Sequence, residues 1–184
     1  LDRSGQGNDG TLVGMSTTSS PVIGKIGQAL NFQGSSYVTT TGSTSNGSAS
    51  VFAWINPSFL GTCPGASPNL CEIVMISSNF LFEVGSGMLS IYGYVFNTPQ
   101  WVSISNSNIS INKWMHVGFT YDQTTLRVYL DGEQIGTANV PGVIGTGGNI
   151  KIGGDNNFRL FKGKIDDVRV YNRALSATEI KQLY

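Results

Sequence analysis

Along most of the chain, apolar and polar residues alternate in short runs divided by glycine, asparagine, serine or proline. That is the period-two pattern of strands, not the 3.6 period of helices. Residues 48–56 (SASVFAWIN) are nearly all apolar and are stopped by Pro57, which predicts a central strand covered on both faces. Further strands are predicted over Tyr37 to Thr41, Glu72 to Ser77, Phe80 to Val84, Lys113 to Asp122, Leu126 to Leu130, Glu133 to Val140 and Ile150 to Ile152. Asp131-Gly132 between two of them is a two-residue hairpin signal. The only helix predicted is Ser176 to Leu183, with Ser176 as N-cap and Glu179 three residues on closing a capping box. The set predicts an all-β fold: a two-sheet antiparallel β-sandwich, or jelly roll, with one short C-terminal helix, in a single domain over residues 1–184.

Two segments carry more than strand propensity. In the first, Met88, Ser90, Tyr92, Tyr94 and Phe96 share one parity, and Leu89, Ile91 and Val95 the other. A turn at Asn97-Thr98-Pro99-Gln100 places Phe96 opposite Trp101, Tyr94 opposite Ser103 and Tyr92 opposite Ser105. One face is then aliphatic, and the other mixes rings with hydroxyls. Rings with polar neighbours suit the C–H faces and hydroxyls of sugars, so Tyr92, Tyr94 and Trp101 are candidate carbohydrate-binding residues. The same residues also suit ordinary cross-strand packing, since strands favour aromatics anyway. The second segment is the last strand, Phe161 to Tyr171, which carries Asp166 and Asp167 side by side. Asp166 has the parity of Val168 and Val170, so valines facing the core would aim its carboxylate inward as well. A carboxylate there needs hydrogen bonds, a cationic partner or a metal.

Composition narrows the setting. Charged residues are 12% of the 184, and Lys+Arg equals Asp+Glu at 11 each, so no electrostatic footprint for nucleic acid appears. No run of eighteen or more apolar residues exists to form a membrane-spanning helix. No signal peptide is read, and the chain opens inside a polar turn, as an excised domain does. Cys63 and Cys71 are separated by seven residues rich in proline, glycine and asparagine, which lets them meet as a disulfide. That bond implies an oxidising, extracellular or cell-surface location, which the uncharged polar surface also fits. With one histidine and no second cysteine pair, zinc is not implied.

An ordered set of short motifs resembles a known family. It runs from Asp2-x-Ser4-Gly5-x-x-Asn8-Asp9-Gly10 through Gly24-Lys25-x-Gly27-Gln28-Ala29-Leu30-x-Phe32-x-Gly34 to Val51-x-Ala53-Trp54-Ile55-x-Pro57. It continues with Trp114-x-His116-Val117, Thr120-Tyr121-Asp122, Leu126-x-Val128-Tyr129-x-Asp131-Gly132 and Gly163-x-Ile165-Asp166-Asp167-Val168-Arg169-Val170-Tyr171. Together they resemble the laminin-G-like jelly rolls of the concanavalin A-like lectin and glucanase superfamily. Members of that family usually have an aromatic-rich first strand ahead of the Asp2 turn, and this chain starts after it.

The resemblance implies a structural calcium held by Asp166, a carbonyl at Gly34, and oxygens of the N-terminal turn, here Asp2 and Asn8, with Asp9 and Asp167 as competing ligands. Against it stands the reading in which Asp166 accepts hydrogen bonds from turn amides or pairs with an arginine. The family's hydrolytic branches carry a Glu-x-Asp-x-x-Glu strand that this chain lacks, and its four glutamates, Glu72, Glu83, Glu133 and Glu179, are scattered. His116, mid-strand after Trp114, reads as a packed, hydrogen-bonded residue. The expectation is a non-catalytic extracellular recognition module that binds carbohydrate or glycoconjugate. The alternative is a protein-contact, adhesion or assembly domain working beside neighbouring domains or a surface protein, and an enzyme ranks third.

Overall fold

The computed structural model describes residues 2–184 apart from 19, 43–46, 62, 64–69, 78–79, 86–87, 96–97, 106–107, 144–147 and 157; over 88–105 it describes backbone pairing, not side chains. In chain order the strands are β1 (Thr11–Val13), β2 (Pro21–Ile23), β3 (Gln28–Gln33), β4 (Tyr37–Thr39), β5 (Ala49–Pro57), β6 (Cys71–Ser77) and β7 (Phe80–Gly85). They continue with β8 (Met88–Val95), β9 (Thr98–Ser105), β10 (Met115–Tyr121), β11 (Thr125–Leu130), β12 (Glu133–Asn139), β13 (Lys151–Ile152) and β14 (Lys162–Tyr171), before helix α1 (Ala177–Leu183). Two seven-stranded sheets result, of order β1-β4-β13-β6-β7-β8-β9 and β12-β11-β10-β5-β14-β3-β2. Every pairing is antiparallel. We call the first sheet A and the second sheet B.

The core lies between the sheets and follows the alternation. Phe80, Phe82 and Val84 of β7 meet Val117, Phe119 and Tyr121 of β10, with Val51, Ala53 and Ile55 of β5 beside them. Phe119 packs edge-on against Phe82 at 5.5 Å between ring centres. β5 is buried along nearly its whole length because β10 and β14 flank it and both of its faces are covered. The apolar run at 48–56 predicts that position. The outer face of sheet B is closed by the C-terminal segment, where Leu175 and Ile180 pack onto Phe52 and Tyr129. Ser50 ties this segment down: its hydroxyl donates to the Arg173 carbonyl at 2.8 Å and accepts from the Leu175 amide at 2.9 Å. The capping box at Ser176 and Glu179 is present as predicted. Asp131 and Gly132 both take positive φ, 49° and 81°, as a two-residue hairpin turn requires.

Two sequence expectations change. The β8–β9 pairing continues through Thr98 and Pro99, so the turn does not run over Asn97 to Gln100: Tyr92 lies opposite Trp101, Tyr94 opposite Pro99 and Val95 opposite Thr98. Pro99 is tolerated inside the strand because β9 is the sheet edge, where a missing N–H breaks no inner ladder. Phe96 lies outside the described residues.

The second change concerns Asp166. The β14 register against β5 slips between Asp166 and Arg169, so that Asp166 faces Trp54 while Arg169 faces Phe52. One extra residue is thereby inserted, with Asp167 at φ 45°. The slip reverses the parity. Ile165, Val168 and Val170 pack on the inter-sheet core, whereas Asp166 falls on the outer face beside Trp54. Asp166 is buried by the β2–β3 turn rather than by the core.

Candidate binding face

The register of sheet A sets rows of positions on the side away from the inter-sheet core, where Met75 and Leu81 are themselves buried. Reading straight across the strands, Thr39 (β4) pairs with Lys151 (β13), Lys151 with Met75 (β6), Met75 with Leu81 (β7), Leu81 with Tyr92 (β8) and Tyr92 with Trp101 (β9). Positions directly opposite in antiparallel strands share a face, so these six form one row. The intervening row, Val38, Ile152, Val74 and Phe82, belongs to the inter-sheet core. The next outer row holds Glu72, Glu83, Ser90 and Ser103. Tyr92 and Trp101 are therefore direct cross-strand neighbours, closer than the sequence register put them, and Tyr94 stands at the hairpin end opposite Pro99. The side chains of all three lie outside the described residues.

Glu72 and Glu83 were not apparent as a pair in the sequence. They face each other across β6 and β7, and both are fully buried. Arg159 Nε stands 3.1 Å from Glu83 Oε1, an ion-pair distance, but no carboxylate oxygen of either residue takes an aligned hydrogen bond among the described residues. Burial pushes Glu83 up to about 7, against the opposing pull of Arg159. Glu72 is raised well above the ordinary carboxylate range, first by burial and then by Asp155 and Glu83. Above the pair lies the segment that follows β13. Lys151 pairs with Asp155 there, and the Tyr37 hydroxyl donates to Asn156 Oδ1 at 3.0 Å. Phe158 in the same segment is 57% exposed.

The four residues named for calcium fall in three places. Asp166 Oδ2 accepts the Ile26 amide at 2.8 Å and its Oδ1 accepts the Asp167 amide at 2.8 Å. Gly24 approaches closely enough that a Cβ would collide with Asp166 Oδ2 and reach 2.8 Å from the Ala29 nitrogen, so only glycine fits. Gly34 lies at the other end of the β3–β14 pair, its amide donating to the Phe161 carbonyl. Five residues of strand separate Phe161 from Asp166, roughly 16 Å at the usual rise. Asp2 and Asn8 belong to a third place, the N-terminal turn. Asp2 accepts the Ser4 and Asn8 amides and the Ser4 hydroxyl, while Asp9 accepts the Asp2 amide. Calcium–oxygen bonds of about 2.3–2.6 Å cannot join Asp166 to Gly34. The residues do not fit a common ion, and Asp166 is instead a hydrogen-bond acceptor for turn amides.

Cys63 and Cys71 form the expected disulfide, with Cα atoms 5.4 Å apart. His116 is packed as expected, stacked on Phe52 and tilted against Trp54. Its Nδ1, however, has no hydrogen-bond partner among the described residues, and burial lowers it to about 4. Lys25 Nζ lies 4.5 Å from the centre of the Trp54 ring, and Tyr184 stacks on the same indole. This outer face of sheet B is thus filled by the protein's own groups.

A family model for the concanavalin A-like lectin/glucanases superfamily matches residues 32–181. Among solved structures, the chain is similar to domain 4 of AbnA, a GH43 extracellular arabinanase from Geobacillus stearothermophilus, solved in complex with arabinotriose. The TM-score is 0.75 at 23% identity, covering 99% of this chain and 91% of that one. The binding domain of Paraclostridial Mosquitocidal Protein 1 gives a TM-score of 0.75 at 20% identity over 99% of this chain and 48% of that one. The binding domain of botulinum neurotoxin DC, in complex with rat synaptotagmin II, gives 0.71 at 19% identity over 100% and 48%. At such identities the likeness is one of fold. No curated protein matches the chain.

Proposed function

This chain belongs to the concanavalin A-like lectin and glucanase superfamily, and from that premise we propose that it is a non-catalytic extracellular module that binds carbohydrate or glycoconjugate. The observation that carries the reading is the register of the sheet A edge, which brings Tyr92 directly opposite Trp101 with Tyr94 beyond them. Adjacent ring positions with Ser90 and Ser103 in the next row are the composition that stacks on sugar C–H faces and bonds hydroxyls. The solved structures support a binding role by analogy: one similar domain holds arabinotriose.

The acid pair Glu72–Glu83 does not revive hydrolysis, because neither carboxylate has exposed surface to meet a glycosidic bond. The disulfide fits an oxidising compartment outside the cell. Calcium has no part in this reading, since Asp166, Gly34, Asn8 and Asp2 do not converge.

A second reading is a protein-contact, adhesion or assembly domain, favoured by the likeness to a toxin binding domain solved with synaptotagmin. A glycan array separates the two. Binding to a defined saccharide that is lost in both Tyr92→Ala and Trp101→Ala, in variants that keep the wild-type melting temperature, supports the lectin reading. Silence across the array, or binding untouched by both substitutions, overturns it.

A further inference from the structure

Gly153 to Asn156 and Phe158 to Leu160 form a clasp over one end of sheet A. Gly153 donates to the Ile73 carbonyl at 3.0 Å, and Glu72 donates its amide to the Arg159 carbonyl at 2.8 Å. The clasp is closed on itself by paired bonds between Asp155 and Phe158 and by the Phe161 amide on the Gly153 carbonyl. Its backbone is bent sharply: Gly153, Asn156 and Arg159 all have positive φ, of 82°, 40° and 53°. Beneath it lie the two facing glutamates. Their charged neighbours among the described residues are Arg159, which acts on both glutamates and stands at ion-pair distance from Glu83, and Asp155 and Lys151 near Glu72, while Ser90 is the β8 position opposite Glu83. Three carboxylates therefore share two cations, and Arg159 and Lys151 are already engaged by Glu83 and Asp155. Glu72 is the carboxyl left over, with no exposure and no hydrogen-bond partner for either oxygen among the described residues. A buried carboxyl without a hydrogen bond or counter-ion takes up a proton instead of keeping its charge.

We propose that Glu72 holds a buried proton at neutral pH, facing Glu83 and its Arg159 partner across the strands, and that loss of this proton unfastens the clasp from sheet A. Once Glu72 ionises, its charge faces that of Glu83 across the strands and that of Asp155 in the clasp. The clasp is the movable party, because β6 and β7 are anchored in the core by Ile73, Val74, Phe80 and Phe82. Lifting Asp155 away admits water to both glutamates and relieves the repulsion. The surface offered by Tyr37, Asn156 and Phe158, on the β4–β13 side of sheet A, thereby becomes pH-dependent. The clasp stands whether or not the β8–β9 edge binds saccharide.

Hydrogen exchange between pH 6 and pH 10 tests this, reading the 153–161 amides against those of β3 after correction for intrinsic chemistry. One linked proton predicts an opening constant that rises about tenfold per pH unit on the alkaline side. Glu72→Gln, neutral at every pH, abolishes that rise and keeps the clasp protected. Glu83→Gln, which removes the charge facing Glu72, makes the rise level off at lower pH. Infrared spectroscopy of Glu83→Gln, in which Glu83 contributes no carboxyl band, shows a protonated carboxyl band at neutral pH that disappears as the clasp opens. The proposal is overturned if that band is absent, if clasp exchange keeps the pH dependence of β3, or if Glu72→Gln exchanges as the wild type does. It is also overturned if calcium ion alone closes the clasp at alkaline pH, which would make the glutamates a cation site.

Discussion

Replacing Asp166 by alanine removes the acceptor for two backbone amides, Ile26 at 2.8 Å and Asp167 at 2.8 Å. Both bonds are part-buried, one in the β2–β3 turn and one inside the β14 bulge, and Asp166 itself is 6% exposed. A buried donor left without a partner costs about 1–3 kcal/mol. Two donors, with partial rescue by water entering the space vacated, give about 3 kcal/mol. In a domain of this size each kcal/mol lowers the melting temperature by about 2–4 °C, so Asp166→Ala melts about 6–12 °C below the wild type. Asp166→Asn keeps one acceptor oxygen and loses roughly half as much. Thermal and urea denaturation, each run with calcium and with chelator, measure both effects. Because the carboxylate serves amides and not an ion, the wild-type melting temperature is the same in the two conditions. The reasoning is refuted if Asp166→Ala stays within about 0.5 kcal/mol of the wild type, the range of neutral surface changes. A calcium-dependent rise in the wild type that Asp166→Ala lacks would refute it equally, and would restore the metal.

Three further outcomes are expected. His116, lowered by burial to about 4 from 6.5, contributes stability that is present above pH 6.5 and lost as pH falls toward 4. His116→Phe, compared with the wild type over that range in urea, removes a decline of about 3 kcal/mol, and parallel curves would sink the assignment. Glu83, raised to about 7 from 4.5, acts in the opposite sense: its contribution is present below pH 4.5 and lost as pH rises to 7. Glu83→Gln therefore flattens the wild-type fall across that window, and an unchanged slope would show that Glu83 titrates normally. Reducing Cys63–Cys71 lowers stability by about 2.5 kcal/mol on the loop-entropy account, as urea melts with and without reductant will show, and no change would mean that the loop is held by other contacts.

The local grammar of the chain determined most of the architecture. Alternation located the strands, Pro57 ended the central one, Asp131-Gly132 made its hairpin, and Ser176 with Glu179 capped the helix. These signals are legible because each depends on residues a few positions apart. Register over longer distances was not legible, because a bulge inserts one residue and leaves no mark in the alternation. One such slip, between Asp166 and Arg169, moved Asp166 from the expected core side to the outer face of sheet B. Two more, between Glu72 and Val74 and between Met75 and Ser77, set Glu83 opposite Glu72. An unbroken hairpin folded about residues 78–79 would have put Val74 there. The aromatic positions Tyr92, Tyr94 and Trp101 were visible by parity, but their pairing waited on where the turn fell. Sequence alone thus determined which segments are strands and which faces they offer. Tertiary structure decided which charges meet, because that rests on single-residue slips whose cost is settled by packing on both sides of a sheet.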